Sequence, residues 1–323
     1  VNGGAIYSTL TTLVKNTTFN YNKASEQGGA IYTNYDMHLI DVSFNGNSAK
    51  QGGAIYAAPY SVTYLIAYDK DISITNNRAS DKGGAMYIDY GAEMNIIAYQ
   101  KDVIISGNKM KNSSNCVYLY NSTLNVDAYN NQVPGKPDHK TTVKITDDIT
   151  GEGVSYLNKY GNGILLLTGK ITNLTISDES ERGTHLLTGE EGAAILYDLI
   201  HGSEIMITDE NGVTMSSMNM GASTLNIANG HIGKLALKSL VIQNETANVA
   251  IDVDLKNATS DKITAESKEG GTVNVSRVNL ISDSKDPVVV KVGEDSEVTS
   301  VSATSAETKE ATYKLKSRLG AGG

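Results

Sequence analysis

The chain has one cysteine, no tryptophan, two phenylalanines and four prolines in 323 residues. A lone Cys116 excludes an intrachain disulfide and any cysteine-rich zinc site, so stability has to come from backbone pairing and burial. With so few bulky aromatics of the kind that usually fill a globular interior, the core must be built from valine, isoleucine and leucine. Positive charge is also in deficit: 27 Lys and Arg stand against 36 Asp and Glu, a formal net charge of -9. A nucleic-acid or anionic-membrane surface would need clustered cations, and this balance argues against both. No apolar run approaches the length of a membrane-spanning helix; the longest candidate, Ile164 to Leu167, is far too short. The opening VNGGAIY lacks a basic and an apolar leader segment and begins inside a repeated motif, so the chain reads as a piece of a longer protein.

What is abundant is glycine, with 31 residues, and tyrosine, with 18. The glycines are spaced. Double glycines at Gly3-Gly4, Gly28-Gly29, Gly52-Gly53 and Gly83-Gly84 recur at intervals of 25, 24 and 31 residues, and two of them sit in an identical QGGAIY. A second element, FNYN (Phe19 to Asn22), FNGN (Phe44 to Asn47) and ITNN (Ile74 to Asn77), precedes the later pairs, and ISGN (Ile105 to Asn108) repeats it. LIAYDKDISITNN from Leu65 and IIAYQKDVIISGN from Ile96 hold register over thirteen residues. Periods of this size are the mark of a solenoid.

Between the motifs the pattern is extended. Ile40, Val42 and Phe44 alternate with Asp41 and Ser43, as on a strand with one wet face, and no long helical stripe survives the frequent Gly, Asn, Thr and Ser. Short strands separated by Gly and Asn turns predict an all-β protein, a parallel β-helix in which each period is one rung. Equivalent residues then stack at about 4.8 Å, so every rung meets the same steric demand. Gly28, Gly29, Gly52, Gly53, Gly83 and Gly84 are expected at one corner, where the backbone turns with positive φ or approaches the next rung too closely for a Cβ. Asn22, Asn47 and Asn77 are expected at another, where asparagine tolerates the left-handed region and bonds a turn or the asparagine above it.

Alternation places Ile6, Ile31, Ile55 and Met86 in the lumen and Tyr7, Tyr32, Tyr56 and Tyr87 outside. Two readings of these tyrosines stand side by side: a flat stripe able to lie against sugar rings or a partner sheet, or a ladder that staples rungs together. Residues 1–129 form the repeat-rich part and 130–140, with two of the four prolines, a protruding loop or break; rungs of looser consensus continue over 141–323. At roughly 22 residues per rung this gives about 14 rungs, a rod on the order of 65–70 Å long.

The repeated GGA[ILV] and FxxN elements, with LNKYGNGILLLTG (Leu157 to Gly169) and IDVDLKNATSDKITAES (Ile251 to Ser267), resemble the passenger domains of bacterial type V autotransporters, especially the polymorphic outer-membrane-protein branch. The resemblance implies a right-handed parallel β-helix exported to the surface of a Gram-negative cell, outer membrane-displayed or secreted. Such a passenger is tethered to a translocator barrel that this chain does not contain. It implies adhesion, cell-cell association or immune exposure rather than catalysis, with a host-surface protein or glycan, or a second copy, as partner. It implies no cofactor. The passenger itself does not span the membrane.

An enzyme is the alternative, because parallel β-helices also carry polysaccharide hydrolases and lyases that need converging carboxylates. Asp147 and Asp148 in ITDDIT and His201-Gly202 in IHGSE are the candidates, but none of Arg78, Arg182, Arg277 and Arg318 is followed by x-Lys to complete a uronate-binding set. His38, His139, His185, His201 and His231 show no metal-ligand spacing, and TDENG (Thr208 to Gly212) lacks the alternating oxygens of a calcium loop, so no metal site is expected. Cys116 has no neighbouring His or Lys to activate it and reads as a small apolar filler. The triplets at Asn16, Asn121 and Asn173 are of a frequency that chance supplies in so Asn- and Thr-rich a chain.

Overall fold

The structure, a computed structural model, describes residues 1–111, 115–131, 139–161, 163–178, 187–188, 194–195, 204–207, 213–220, 224–228, 230–282 and 300–303. They form an all-β solenoid whose strands pair in parallel with the equivalent strand of the next turn, about 8 coils in all. One turn shows the plan: Ile31–Thr33, Met37–Ile40, Ser43–Asn45 and Ser48–Gln51, followed in the next by Ile55–Ala57, Val62–Ala67, Ile72–Thr75 and Arg78–Lys82. The first strands of the turns make a seven-stranded ladder, in which Ile6 pairs with Ile31, Ile31 with Ile55, Ile55 with Met86, Met86 with Val117 and Val117 with Ile149. Most of the early turns are longer than the expected 22 residues, up to the 40 that separate Val103 from its partner Val143, whereas Ile149 meets Ile171 after 22. Two late strands, Lys234–Asp254 and Lys262–Ser282, run 21 residues each. The described residues make about 8 coils, where 14 are expected for all 323 residues.

Each letter of QGGAIY has a separate physical cause. Gln27 and Gln51 bond along the axis, Asn2 Nδ2 donating to Gln27 Oε1 at 3.0 Å and Gln27 Nε2 to Gln51 Oε1 at 3.3 Å. The two glycines divide the labour that the sequence left open between them. Gly28 has φ +66°, which a side chain disfavours, whereas a Cβ on Gly29 would lie 2.0 Å from the carbonyl oxygen of Gly53 in the next rung. Ala30 and Ala54, then Ile31 and Ile55, are fully enclosed in the lumen. The tyrosine points the other way.

The lumen is a continuous aliphatic column. Phe19 stacks on Phe44 at 5.2 Å, and Ile74, Ile105, Ile145 and Leu167 continue that file. Each fully enclosed Ile or Leu contributes about 1.5–3 kcal/mol. The alternation expected around Asp41 breaks there: Leu39, Val42 and Phe44 are buried, whereas Ile40 points outward. Asp41 takes φ 55°, which turns the corner and shifts the phase by one. Its carboxylate accepts the backbone N–H groups of Tyr68, Asp69 and Lys70 in the next rung.

Asn22, Asn47 and Asn77 do stack, but their backbone is not what bends. The left-handed residues are the ones before them, Tyr21, Gly46 and Asn76, with φ of 55°, 68° and 57°. That leaves each asparagine side chain inside the corner. Asn22 Nδ2 donates to Asn47 Oδ1 at 2.8 Å, Asn47 Nδ2 to Asn77 Oδ1 at 2.9 Å, and Asn77 Nδ2 to Asn108 Oδ1 at 2.9 Å. The same oxygens accept the backbone N–H of the asparagine below. Asp147 closes the series, accepting Asn108 Nδ2 at 3.1 Å and its backbone N–H at 2.8 Å.

Within the fifth rung, between Thr123–Ala128 and Thr142–Ile145, Asn130 pairs with Lys140 and Asn131 with His139 in antiparallel sense. Lys159, within LNKYGNGILLLTG, is registered on Val126 and fully buried, and its Nζ donates to the carbonyls of Tyr160 and Gly161 at 2.6 and 2.7 Å. Asp261 of the SDKI stretch accepts backbone N–H groups of Gly233 and Asp252, both at 2.7 Å, and burial pushes its carboxyl up to about 6 from 3.8. Because the folded chain holds this proton more tightly than the unfolded one, stability is lost as pH rises between those two values and is level above them. A melting temperature followed from pH 3 to 8 is expected to show that step, and Asp261→Asn to abolish it. Among the described residues no helix is long and apolar enough to cross a membrane.

Candidate functional site, a tyrosine ladder beside an acidic corner

Tyr7, Tyr32, Tyr56 and Tyr87 occupy one register position on the outer side of the first ladder. Tyr118 joins them, paired with Tyr87. Its rung has Asn115 and Cys116 where the others have glycine and alanine, so the double-glycine motif does not mark it; the pattern small residue, aliphatic, tyrosine in Cys116-Val117-Tyr118 is the signal that does. Cys116 lies in the lumen, bonded in line with Ala85, and burial raises its thiol well above the usual range. It is expected to resist a thiol reagent in the folded chain and to react at once on unfolding, which a colorimetric thiol assay with and without denaturant reads.

The rings stack face to face along the axis. Their centroids are 4.8, 5.5, 4.9 and 5.3 Å apart and their planes within 3°, 8°, 12° and 22° of parallel. Both faces of Tyr32, Tyr56 and Tyr87 are therefore covered by neighbouring rings, and edges rather than faces meet solvent. Exposure falls from 55% at Tyr7 to 4% at Tyr56 and 7% at Tyr87. A sugar ring packs against an open aromatic face, so this geometry favours the staple over the flat stripe.

Charge is threaded into the ladder. The Tyr56 hydroxyl donates to Asp89 and the Tyr118 hydroxyl to Glu152. Lys82 Nζ lies 2.8 Å from Glu152 and 4.4 Å from the centre of the Tyr118 ring. Burial, then the bond to Asp89, pushes the Tyr56 phenol up; burial, then the Asp89 charge, does the same at Tyr87. Burial pulls Lys82 down, but the bonds to Glu152 and Tyr118 outweigh it and its ammonium is held above the usual range. Glu152 is lowered by hydrogen bonds from Lys82 and Tyr118. These phenols stay protonated throughout the physiological range, and those of Tyr56 and Tyr118 are donors.

Beside the ladder, where the chain turns from the first strand of each rung to the second, lies another tyrosine row. Tyr60 meets Tyr90 edge-on at 5.6 Å, and Tyr90 meets Tyr120 at 6.3 Å. Tyr60 is 72% exposed. It adopts φ 62°, and its ring lies over Gly91, where a Cβ would come within 2.7 Å of it.

The carboxylates considered for catalysis are engaged elsewhere. Asp147 accepts Gly107 N–H as well as Asn108, and burial raises its carboxyl against those bonds. Asp148 accepts the Lys170 N–H at 2.9 Å. His38 stacks on Tyr64 at 4.9 Å. Arg78 is exposed on the far corner, and Arg277 is registered on Ser300. His185, His201, Gly202, Arg182, Arg318 and residues 208–212 lie outside the described residues, as does the side chain of His139.

Residues 16–34 and 41–58 match the Chlamydia polymorphic membrane protein repeat. Each matched stretch holds one FxxN corner, one double glycine and one ladder tyrosine: Phe19, Asn22, Gly28, Gly29 and Tyr32, then Phe44, Asn47, Gly52, Gly53 and Tyr56. The chain carries polymorphic membrane protein repeats. No curated protein and no solved structure matches it. In structural terms the repeat covers the larger part of one turn, from the third strand of one rung to the first strand of the next: its phenylalanine fills the lumen, its asparagine joins the polar file, its glycines permit the corner, and its tyrosine extends the outer ladder.

Proposed function

We propose that the chain is a non-enzymatic, surface-displayed passenger rod of a Gram-negative bacterium. In this reading it acts in adhesion or in cell-cell or host association, and is carried by a longer protein whose translocator barrel anchors it in the outer membrane. The observation that carries this is the match of two successive rungs to a repeat of chlamydial membrane proteins on a solenoid. The engagement of Asp147 at the end of the asparagine file supports the non-enzymatic reading, because an acid-base pair needs carboxylates free to meet substrate. The tyrosine ladder, Tyr7, Tyr32, Tyr56 and Tyr87, then serves as the staple that keeps the display surface rigid. Its exposed lower rings and the neighbouring row remain the places where a host protein, a glycan or a second copy would touch.

Beads coated with the folded chain are expected to attach to cultured host cells several-fold more than beads coated with the heat-unfolded chain. The same preparation is expected to release no oligosaccharide from acidic polysaccharides. Attachment no better than the unfolded control, or turnover of a polysaccharide, would reverse the proposal.

A further inference from the structure

Among the described residues, half of the exposed large apolar side chains share one corner, whereas Val1, Tyr7, Tyr21, Ile104 and Tyr156 lie elsewhere. Leu10, Tyr35, Tyr60, Tyr90 and Val154 all lie at one corner, between the first and second strands of their rungs, and are 73%, 53%, 72%, 47% and 63% exposed. At about 4.8 Å per rung they draw a strip roughly 24 Å long parallel to the axis. Every charged residue of the corner segments 8–12, 33–37, 57–62, 88–93, 119–123 and 151–156 is acidic: Asp36, Asp89, Glu93 and Glu152. Lys82 reaches one of them, Glu152; other cations sit elsewhere. Lys23, Arg78 and Lys109 share a register row on the far corner, and all three are exposed.

Contiguous exposed apolar surface rimmed by one sign of charge marks an interaction site rather than ordinary surface. The molecule also displays the contact such a surface would make: on the adjoining face, a tyrosine ring and a carboxylate, Tyr118 and Glu152, together hold an ammonium group, that of Lys82. Tyr60 and Tyr90 share their corner with Glu93 and with Asp89, whose oxygens accept the Tyr56 hydroxyl and the Tyr90 N–H, and among the described residues no lysine is bridged to either carboxylate. Tyr60 is preset for the purpose, held in a left-handed conformation costly for a bulky residue and seated on Gly91.

We propose that this corner is a docking strip for an extended protein segment that carries lysine or arginine among aliphatic side chains and lies along the rod axis. Its cations take the ring faces of Tyr60 and Tyr90 and the carboxylates of Asp36, Asp89 and Glu93, and its aliphatic groups cover Leu10, Tyr35 and Val154. The inference rests on the adhesion reading and names the chemistry of the partner.

The test uses the whole chain and synthetic peptides of about eight residues, long enough to span the strip at roughly 3.3 Å per residue. One alternates Lys with Leu, one Glu with Leu, one Ser with Leu, and binding is read by fluorescence anisotropy. The Lys peptide is expected to bind, to weaken as salt is raised, and to lose about tenfold in affinity in the double variant Tyr60→Asn, Glu93→Gln. Asn121, which follows Tyr120 at the same corner two rungs on with φ 46°, shows that asparagine is tolerated in this conformation, and circular dichroism checks that the variant folds. Equal binding of the Glu peptide, or unchanged affinity of the variant, would overturn the proposal. So would self-association in sedimentation that the variant abolishes without any peptide binding, which would assign the strip to a second copy. Bead attachment separates this from the broader reading: variant beads that still attach while peptide binding is absent sink the strip alone, and wild-type beads that never attach sink the adhesion proposal.

Discussion

Alanine at Gly53 is expected to be among the most damaging single substitutions in the chain, costing more than about 4 kcal/mol. An added Cβ would sit 2.0 Å from the Gly84 carbonyl oxygen and 2.7 Å from the backbone N and C of Arg78. All three atoms belong to backbone held in the rung ladder, so nothing flexible can move aside. Relief requires neighbouring rungs to separate, which breaks the Gly53 N–H to Gly83 carbonyl bond at 2.9 Å and the Ala54 N–H to Ala85 carbonyl bond at 2.8 Å. Since a solenoid is stabilised chiefly by contacts between adjacent rungs, a gap there uncouples the stack on either side. Thermal unfolding should split into two transitions or fall steeply, and limited proteolysis should cut near the gap. Gly230→Asn is the control: its φ of +90° tolerates asparagine better than most residues, and nothing lies within 4 Å of its would-be Cβ. A Gly53→Ala chain as stable as this control would mean that the rungs are not in contact where the double glycines meet.

Asn77→Ala is the second large effect, expected at about 3 kcal/mol or more from lost and orphaned hydrogen bonds. Asn77 is fully buried, and removing its amide strips the acceptor from the Asn47 backbone N–H and from Asn47 Nδ2, both at 2.9 Å. It also strips the donor from Asn108 Oδ1. Buried donors left without partners cost more than a hydrogen bond ordinarily contributes, which is why the alanine should be worse than its size suggests. The file has a direction: every interior member must both accept from below and donate above, and only the last may lack a donor. Asp147 holds that last place. Asn77→Asp should therefore destabilise at neutral pH, because its carboxylate would face Asn108 Oδ1 without a proton, and should recover partly in acid as the proton returns. Denaturant unfolding of both variants at pH 4 and pH 7 tests this. An aspartate tolerated equally well at both pH values would show that the file does not run as a directed chain of bonds.

The fold was legible because repetition writes the geometry into the residues. A turn that must bend with positive φ and also approach the next turn selects glycine twice in succession, and Gly28-Gly29 and Gly52-Gly53 display both demands at a constant interval. The aliphatic file, the asparagine file and the outward tyrosines follow from the same stacking rule. Where a rung departs from the consensus, the signal fails although the geometry persists. Cys116 and Tyr118 take the alanine and tyrosine places without a double glycine before them, and Ile40 looked lumenal until Asp41 turned the corner. The width of the coils was not legible either. It depends on how many residues each corner spends before rejoining the ladder, and Val103 still pairs with Val143 although 40 residues separate them.

The candidate site was legible only as a set of tyrosines. Which way a ring turns, face or edge to solvent, is decided by the rings above and below it, and no single rung carries that information. Parallel stacking at about 5 Å closed the faces of Tyr32, Tyr56 and Tyr87. The corner row, with shorter or longer loops from rung to rung, escaped such stacking and left Tyr60 open.

The amino-acid sequence alone determined that this chain coils into stacked parallel rungs with an aliphatic lumen, because one steric requirement met at every turn leaves the same residues at the same intervals. The tertiary structure alone decided which tyrosines remain available and that the acidic residues share their corner. Leu10, Tyr35, Tyr60, Tyr90 and Val154 are separated by unequal lengths of chain and become neighbours only when the rungs are laid on one another.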